Sequence, residues 1–271
     1  MYKKCTFKKL SGIVIIHDLE RSLLSNSISA LKKISLVENI STIHKNKFLE
    51  ISDNSSFDED TSILVLHLDL RHEIKNHELI SRHAQLLGLG QINQYNPITE
   101  IFDNKYKFYQ FMIASGLEQL KTKKIISQTE ALKIIHDFTS NSSSKNFILK
   151  TTHGTESRDQ FHLSEKKINN NFQHIETELN SYLTRVLNYD SIVIQEFLDN
   201  AETKKILIYM EQIITKNINE EEENLIKEFI SELQEIQHEL PKIFSLDLLY
   251  SESKTIILEA NSRPAAIYKY L

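Results

Sequence analysis

The sequence predicts a mixed α/β protein, with a small N-terminal α/β domain at residues 1–95 and a larger α+β region at residues 96–271. Two apolar runs, residues 12–17 and 63–68, are typical of buried strands, and each precedes a segment with helical spacing. Near the C-terminus, residues 244–264 alternate apolar and polar side chains around a polar centre, which predicts an antiparallel hairpin. These three observations together favour a layered α/β fold.

The composition limits the classes of function. With 271 residues, 40% hydrophobic and 25% charged, the chain has the make-up of an ordinary globular protein of one or two domains. Its net charge of −5 argues against non-specific nucleic-acid binding, and no apolar run is long enough to cross a membrane. The single Cys5 excludes an internal disulfide and fits a reducing cytoplasm. We therefore expect a cytoplasmic protein without nucleic-acid or membrane partners; a homodimer is left open.

The N-terminal domain lacks one common nucleotide signature. No glycine-rich turn follows its first predicted strand, so there is no dinucleotide-binding fingerprint. The polar and acidic segment 52–62 predicts a loop, and the helical segment after the second strand ends near Leu87, where Gly88 is the predicted C-cap.

The C-terminal hairpin carries three oxygen-bearing side chains. Side chains alternate along a strand, so Glu259 and Asn261 share a face and converge with Asp247 if the pairing register keeps them together. That register requires an odd number of connecting residues, about three or five. Carboxylate and amide oxygens are the hard ligands that Mg²⁺ takes. From these residues alone, the alternative is a hairpin whose solvent face happens to be acidic.

Two lysines stand at the ends of predicted elements. Asp103 is the predicted N-cap of a helix, which places Lys105 in its first turn, where a cation opposes the helix dipole unless it meets an external anion such as phosphate. The apolar stripe of this helix is Phe108, Phe111, Met112 and Leu117. A solvated surface lysine is the alternative. A second lysine, Lys150, ends the predicted strand 147–150.

The segments after Lys150 complete the predicted order. The polar residues 151–159, with one glycine and one arginine, suit a loop that covers phosphate oxygens, although loops are usually polar. A long helix is predicted to begin at Ser164, followed by strands at 191–198 and 204–210. An acidic opening at Glu220 predicts the start of a last amphipathic helix.

From about Asn96 onward, this order of features resembles the ATP-grasp superfamily. The branch it resembles best contains glutathione synthetase, D-alanine–D-alanine ligase and the glutamate ligases that modify ribosomal protein tails. The matching motifs are Asn96 with Asp103-Asn104-Lys105, Lys150 with Gly154-Thr155, Gln195-Glu196-Phe197-Leu198, Asp247, and Glu259-Ala260-Asn261-Ser262-Arg263-Pro264.

The resemblance implies a domain plan and a reaction. Residues 1–95 would take the place of the pre-ATP-grasp domain, and residues 96–271 would form a two-lobed ATP-grasp domain with antiparallel sheets. The first lobe, 96–190, would carry the phosphate loop, and the second, 191–271, the metal site. The implied enzyme is an ADP-forming ligase that joins a small-molecule or peptide carboxylate to an amine through an acylphosphate. An ATP-binding module without ligase activity, or a phosphotransferase of the same fold, is the alternative.

The resemblance also implies roles for individual residues. Those expected to contact the phosphates of ATP are Lys105, Lys150, Gly154, Thr155, Ser157 and Arg158. Those expected to contact its adenine and ribose are Gln195, the backbone of Glu196 and Leu198, and Glu202 or else Asp199. The expected ligands of one or two Mg²⁺ ions are Asp247, Glu259 and Asn261. Those expected to stabilise the transferring phosphoryl group or hold the substrate carboxylate are Lys204 or Lys205, and Arg263.

Two positions depart from the pattern of that family. Gly154 is the only glycine of the predicted phosphate loop, where relatives usually carry two or three. Ser245 stands where several relatives place an arginine, two residues before the metal-binding aspartate, and Arg263 is the candidate to replace that arginine.

Overall fold

The computed structural model describes residues 12–17, 21–33, 39–53, 57, 59, 61–66, 73–153, 159–165, 172–215, 217–251 and 254–262. Within them the protein has the predicted mixed α/β class, with three four-stranded sheets. No helix of the described part is both long and apolar enough to cross a membrane.

The first sheet is parallel and has the strand order β2-β1-β3-β4. Its strands are β1 (Ile13–His17), β2 (Ile40–His44), β3 (Ser62–Leu66) and β4 (Gly90–Gln91). Its helices are α1 (Arg21–Lys33), α2 (Lys45–Leu49) and α3 (Glu73–Leu86). The predicted apolar strands are confirmed as β1 and β3, apart from residues 67 and 68, which lie outside the described residues. Both faces of each strand are buried, as parallel sheets require.

The two faces of this sheet pack against different helices. Ile13 and Leu64 share a core with Leu31 of α1, while the opposite face packs against Phe48 of α2 and Ile80 of α3. After α3, Gly88 has φ +69° and Leu89 donates its N–H to the Ala84 carbonyl at 2.9 Å. The predicted glycine C-cap is therefore confirmed.

The second sheet is antiparallel and has the order β5-β8-β6-β7. Its strands are β5 (Thr122–Ile125), β6 (Asn146–Thr151), β7 (Gln160–Ser164) and β8 (Ile192–Glu196). The helices of this part of the chain are α4 (Pro97–Asp103), α5 (Lys105–Ala114), α6 (Gln128–Ser140) and α7 (Phe172–Leu187). Phe147, Leu149, Ile192 and Ile194 form a core with α6 and α7.

One predicted helix start is displaced by a residue and another is wrong. Ser164 ends strand β7, and Glu165 directly after it is helical; residues 166–171 lie outside the described residues, and α7 is described from Phe172. Asp103 ends α4, and the N-cap of α5 is Asn104, whose side chain accepts from the N–H groups of Tyr106 and Lys107.

The third sheet has the order β10-β9-β11-β12. Its strands are β9 (Glu202–Tyr209), β10 (Gln212–Ile213), β11 (Ile243–Ser251) and β12 (Lys254–Asn261). The last helix, α8 (Glu220–Ile236), opens as predicted on acidic residues, and Asn219 and Glu222 form a reciprocal capping box there.

The chain divides into two compact units. Unit 1 comprises residues 1–99, 205–246 and 261–271, and unit 2 comprises residues 100–204 and 247–260. The domain boundary predicted at residues 95/96 stays a prediction.

Candidate active site

Strand β6 carries a buried lysine directly before its last residue. Lys150 is only 8% exposed, although an ammonium group is rarely buried without compensation. It lies in unit 2, directly after the apolar core residues of β6. A buried cation at the end of a core strand is the first sign of a site.

Three charged side chains change the pKa of Lys150. Burial lowers the pKa of Lys150 to about 8, Glu259 opposes that decrease, Lys105 reinforces it, and Asp247 opposes it. All four residues belong to unit 2, where they come from β6, β12, α5 and β11. The unit therefore brings two predicted phosphate lysines together with two predicted metal ligands.

Asp247 is buried within β11. Every residue of that strand from Ile243 to Leu249 is buried, and Asp247 is 8% exposed. An acidic solvent face is thus excluded for Asp247, whereas Glu259 and Asn261 are half-buried. The predicted three- or five-residue connection is wrong, since β11 ends at Ser251 and β12 begins at Lys254, which leaves two residues between them. Both carboxylates, those of Asp247 and Glu259, nevertheless raise the pKa of Lys150.

Lys105 is fixed by the backbone of its helix. It is the first residue of α5, as predicted, and its N–H donates to the Thr152 carbonyl at 2.8 Å. That bond joins the N-terminus of α5 to the chain two residues after Lys150. The side chain of Lys105 is half-buried.

A hydrogen-bonded cluster that the sequence analysis missed follows Lys150. Asp190 accepts from the Thr152 hydroxyl at 2.7 Å and from the His153 N–H at 2.8 Å, and the His153 ring lies 2.8 Å from the same carboxylate. Burial raises the pKa of Asp190, but these bonds outweigh it and lower the pKa overall. Asp190 lies 37 positions from His153 and 38 from Thr152 in the sequence, so no local sequence pattern indicated the cluster.

The residues predicted to contact adenine lie along β8 and just after it. Gln195 is buried, and its side-chain amide donates to the Thr122 hydroxyl at 2.9 Å. The N–H of Glu196 donates to the Lys121 carbonyl at 3.0 Å, which commits that group to the sheet. Leu198 is half-buried and Glu202 is exposed.

The remaining predicted site residues fall into two sets. Gly154, Thr155, Ser157, Arg158 and Arg263 lie outside the described residues. Among the other three, Lys204 is half-buried in unit 2, while Lys205 and Asn261 belong to unit 1. The roles of all of them stay predictions.

No cluster of three or more His, Cys, Asp and Glu side chains that could hold a metal ion occurs in the described part of the chain. The predicted magnesium set contains two carboxylates and one amide. Its ligand role also stays a prediction.

Solved structures similar to this fold were found by comparison. D-cycloserine synthetase DcsG has a TM-score of 0.71 at 12% sequence identity, over 95% of this chain and 97% of that chain. D-alanine–D-alanine ligase from Helicobacter pylori has a TM-score of 0.66 at 13% identity, over 97% and 95%. The ATP-grasp ligase PsnB, solved with the precursor peptide PsnA2 and AMPPNP, has a TM-score of 0.59 at 11% identity, over 94% and 89%.

No protein-family model matches the sequence, and no curated protein matches it. The similarity therefore lies in the arrangement of strands and helices over nearly the whole length of each chain. The resemblance predicted from the order of the motifs is confirmed at that level: the chain has the fold of the ATP-grasp carboxylate–amine ligases.

Proposed function

We propose that this protein is an ATP- and Mg²⁺-dependent ligase that joins a carboxylate to an amine through an acylphosphate and releases ADP. The observation that carries the proposal is the group formed by Lys150, Lys105, Asp247 and Glu259 within one compact unit. The similar solved structures support it, because they include D-alanine–D-alanine ligase and the ligase PsnB.

Lys150 is suited to bind a phosphate group. Burial removes much of the water that would otherwise stabilise its ammonium group, which lowers its pKa to about 8. A phosphate oxygen in contact with that group would supply the missing stabilisation, and the bond would be charge-assisted. Lys105 would add a second point charge, and its repulsion of Lys150 would be relieved by the same anion.

Asp247 and Glu259 are chemically suited to hold magnesium. Both supply carboxylate oxygens, Asp247 from a buried position, and Asn261 supplies an amide oxygen two residues further along β12. When bound, Mg²⁺ would neutralise charge on the β- and γ-phosphates. In this proposal Gly154, Thr155, Ser157 and Arg158 cover the phosphates.

Strand β8 would orient the nucleotide base. The hydrogen bond from the Gln195 amide to Thr122 fixes the side chain that is proposed to meet the adenine amino group. The Glu196 N–H already donates to the Lys121 carbonyl. The carbonyl of Glu196 and the backbone of Leu198 would therefore form the hydrogen bonds to the edge of the adenine ring. Glu202 would accept from the ribose hydroxyls.

The chemical step needs little covalent participation from the protein. Transfer of the γ-phosphoryl group to a carboxylate depends on position and on neutralised charge, which the two lysines supply. Lys204 or Lys205, and Arg263, would hold the transferring group or the substrate carboxylate. Excluding water protects the acylphosphate until the amine attacks it. The ligase PsnB was solved in complex with a precursor peptide, so a peptide is one candidate substrate class beside small amino acids.

A substrate panel tests the proposal. Purified protein is incubated with ATP, Mg²⁺ and pairs drawn from amino acids and short peptides, and phosphate and ADP are measured. Ligation requires that phosphate release depends on both an acid and an amine. Release of AMP and pyrophosphate would contradict an acylphosphate mechanism.

The second candidate is an ATP-binding module without ligase activity. The single glycine of the predicted phosphate loop, Gly154, favours it, because glycines let a backbone approach phosphate closely. Tight Mg-ATP binding with no turnover for any pair of substrates would support this candidate over the ligase.

A further inference from the structure

Three side chains form a bridge beside the two lysines. In what we call the Asp190 bridge, Asp190 lies 2.8 Å from the His153 ring at Nδ1, and Nε2 of the same ring lies 2.9 Å from the Asn104 side-chain nitrogen. Asp190 follows helix α7, His153 follows strand β6, and Asn104 caps helix α5. The bridge therefore links three elements of unit 2.

The neighbours of Asn104 determine where the protons lie. Its side-chain oxygen accepts from the N–H groups of Tyr106 at 3.1 Å and Lys107 at 3.0 Å, so its NH₂ group must face His153. An amide NH₂ can only donate, so Nε2 of His153 accepts. The proton of a neutral ring is then on Nδ1, from which it is donated to Asp190. The bridge thus requires the neutral Nδ1–H tautomer of His153.

The bridge holds two cations whose charges repel. Lys105 directly follows Asn104, and its N–H donates to Thr152, which lies two residues after Lys150 and one before His153. Lys105 is one of the charges that lower the pKa of Lys150, as expected for two ammonium groups that repel each other. Holding such a pair together before an anion arrives requires a rigid framework, which the backbone bond from Lys105 to Thr152 and the side-chain contacts of the bridge supply together.

We propose that His153 is a positioning residue for the phosphate site: through Asp190 and Asn104 it fixes the spacing of Lys105 and Lys150 before the nucleotide binds. This inference rests on the proposed function, because it assumes that these lysines bind the phosphates of ATP. His153 does not itself need to touch the nucleotide.

Two substitutions each remove the hydrogen bond between Asn104 and His153, one at either partner. In Asn104→Ser the hydroxyl still caps α5, since serine is a good N-cap, but it no longer reaches His153. In His153→Asn the side-chain amide takes the place of Nδ1 and still donates to Asp190, but it does not reach Asn104. Because one hydrogen bond is lost, each variant should raise the Kd for Mg-ATP about threefold to tenfold. The double variant should show no further loss, since both changes remove one interaction.

A matched control separates this effect from general helix capping. Asn219 caps helix α8 with its side chain, so Asn219→Ser makes the same chemical change at a cap without a bridge. It should leave the Kd for Mg-ATP unchanged. The affinities are measured by titration calorimetry at one pH and one Mg²⁺ concentration, with an unfolding curve for every variant.

The state of the His153 ring gives a readout that does not depend on activity. Nitrogen-15 NMR, with the His153→Asn spectrum as the assignment, should show a proton on Nδ1 and none on Nε2. An Nε2–H tautomer or a charged ring would overturn the bridge.

The binding outcomes distinguish the two levels of the proposal. Wild-type protein that binds no Mg-ATP would overturn the proposed function and the positioning role with it. Normal wild-type binding with unchanged Kd in both single variants would overturn the positioning role alone, and additive losses in the double variant would do the same.

Discussion

Strands β3 and β6 each bury four consecutive residues, but they bury different chemistry. In β3 these residues are Ile63, Leu64, Val65 and Leu66, all apolar. In β6 they are Phe147, Ile148, Leu149 and Lys150, so the fourth position of an otherwise similar run is a cation. The buried run of β3 is entirely apolar, whereas the buried run of β6 ends in a charged group that packing does not explain.

The difference identifies Lys150 in β6 as a buried residue whose charge is unfavourable for stability. Burial disfavours the charged form of Lys150 and lowers its pKa to about 8, and Glu259 and Asp247 only partly offset that decrease. No such conflict occurs in β3. Places where a sequence departs from a stable core are expected at functional sites, and the end of β6 is such a place. The predictions below test this contrast, beginning with the largest expected effect.

Replacing Glu259 by Gln should reduce turnover most. If this carboxylate holds Mg²⁺, its loss should lower kcat by roughly 10³-fold, equivalent to about 4 kcal/mol. Steady-state phosphate release over a range of Mg²⁺ concentrations measures the effect. The control is Glu228→Gln on the exposed surface of α8, which should leave the rate unchanged. Wild-type turnover in Glu259→Gln would refute the assignment of this metal ligand.

Replacing Leu64 by Ala should damage β3 without touching the site. Leu64 is 1% exposed in the core of the first sheet, so its truncation should lower the free energy of unfolding by about 3 kcal/mol. The Kd for Mg-ATP of the folded protein should not change. Chemical denaturation and calorimetry on one preparation provide both values. A large loss of affinity would show that the two strands are not functionally separate.

Replacing Lys150 by Met should weaken nucleotide binding, which the Leu64→Ala substitution should leave unchanged. Losing a charge-assisted bond to phosphate should raise the Kd for Mg-ATP roughly 30-fold, or about 2 kcal/mol. An unchanged Kd would count against a phosphate role. The difference in free energy of unfolding between the wild type and this variant should depend on pH. The reason is that the pKa of Lys150 is about 8 in the folded protein against 10.5 for a free lysine.

The sign of that pH effect follows from the lowered pKa. Below pH 8 both states hold the proton, and the charged amine is buried at full penalty. Between pH 8 and 10.5 only the unfolded state keeps its proton, so the free energy of unfolding of the wild type should rise by about 1–3 kcal/mol relative to Lys150→Met. Urea denaturation at pH 7 and pH 11 measures the difference. A constant difference between the two proteins would contradict the burial of this lysine.

The sequence predicts the elements that follow one clear period. The apolar runs of β1 and β3 were found because both faces of a parallel strand are buried. Strand β2 was missed, since its Ser41 and Thr42 are exposed at the edge of the sheet and leave no apolar run. Strand β7 was missed as well, because its five residues contain only two apolar side chains, Phe161 and Leu163, which are too few to define a period.

The site was predictable only in part for a similar reason. Lys150 and Glu259 occupy recognisable motifs, so their convergence was expected from the order of those motifs. Asp190, His153 and Asn104 meet through contacts between residues far apart in the chain. No local sequence pattern links these three side chains, so the bridge is visible only in the folded structure.

The most direct test of the account is the pKa of the Lys150 ammonium group with and without Mg-ATP, followed by NMR of protein labelled at its lysine side chains, with Lys150→Met as the assignment. The free protein should titrate near pH 8, and Mg-ATP should raise that pKa well above 8, because phosphate favours the charged form. A pKa that starts near 10.5, or one that Mg-ATP leaves unchanged, would contradict the claim that this buried lysine awaits a nucleotide phosphate.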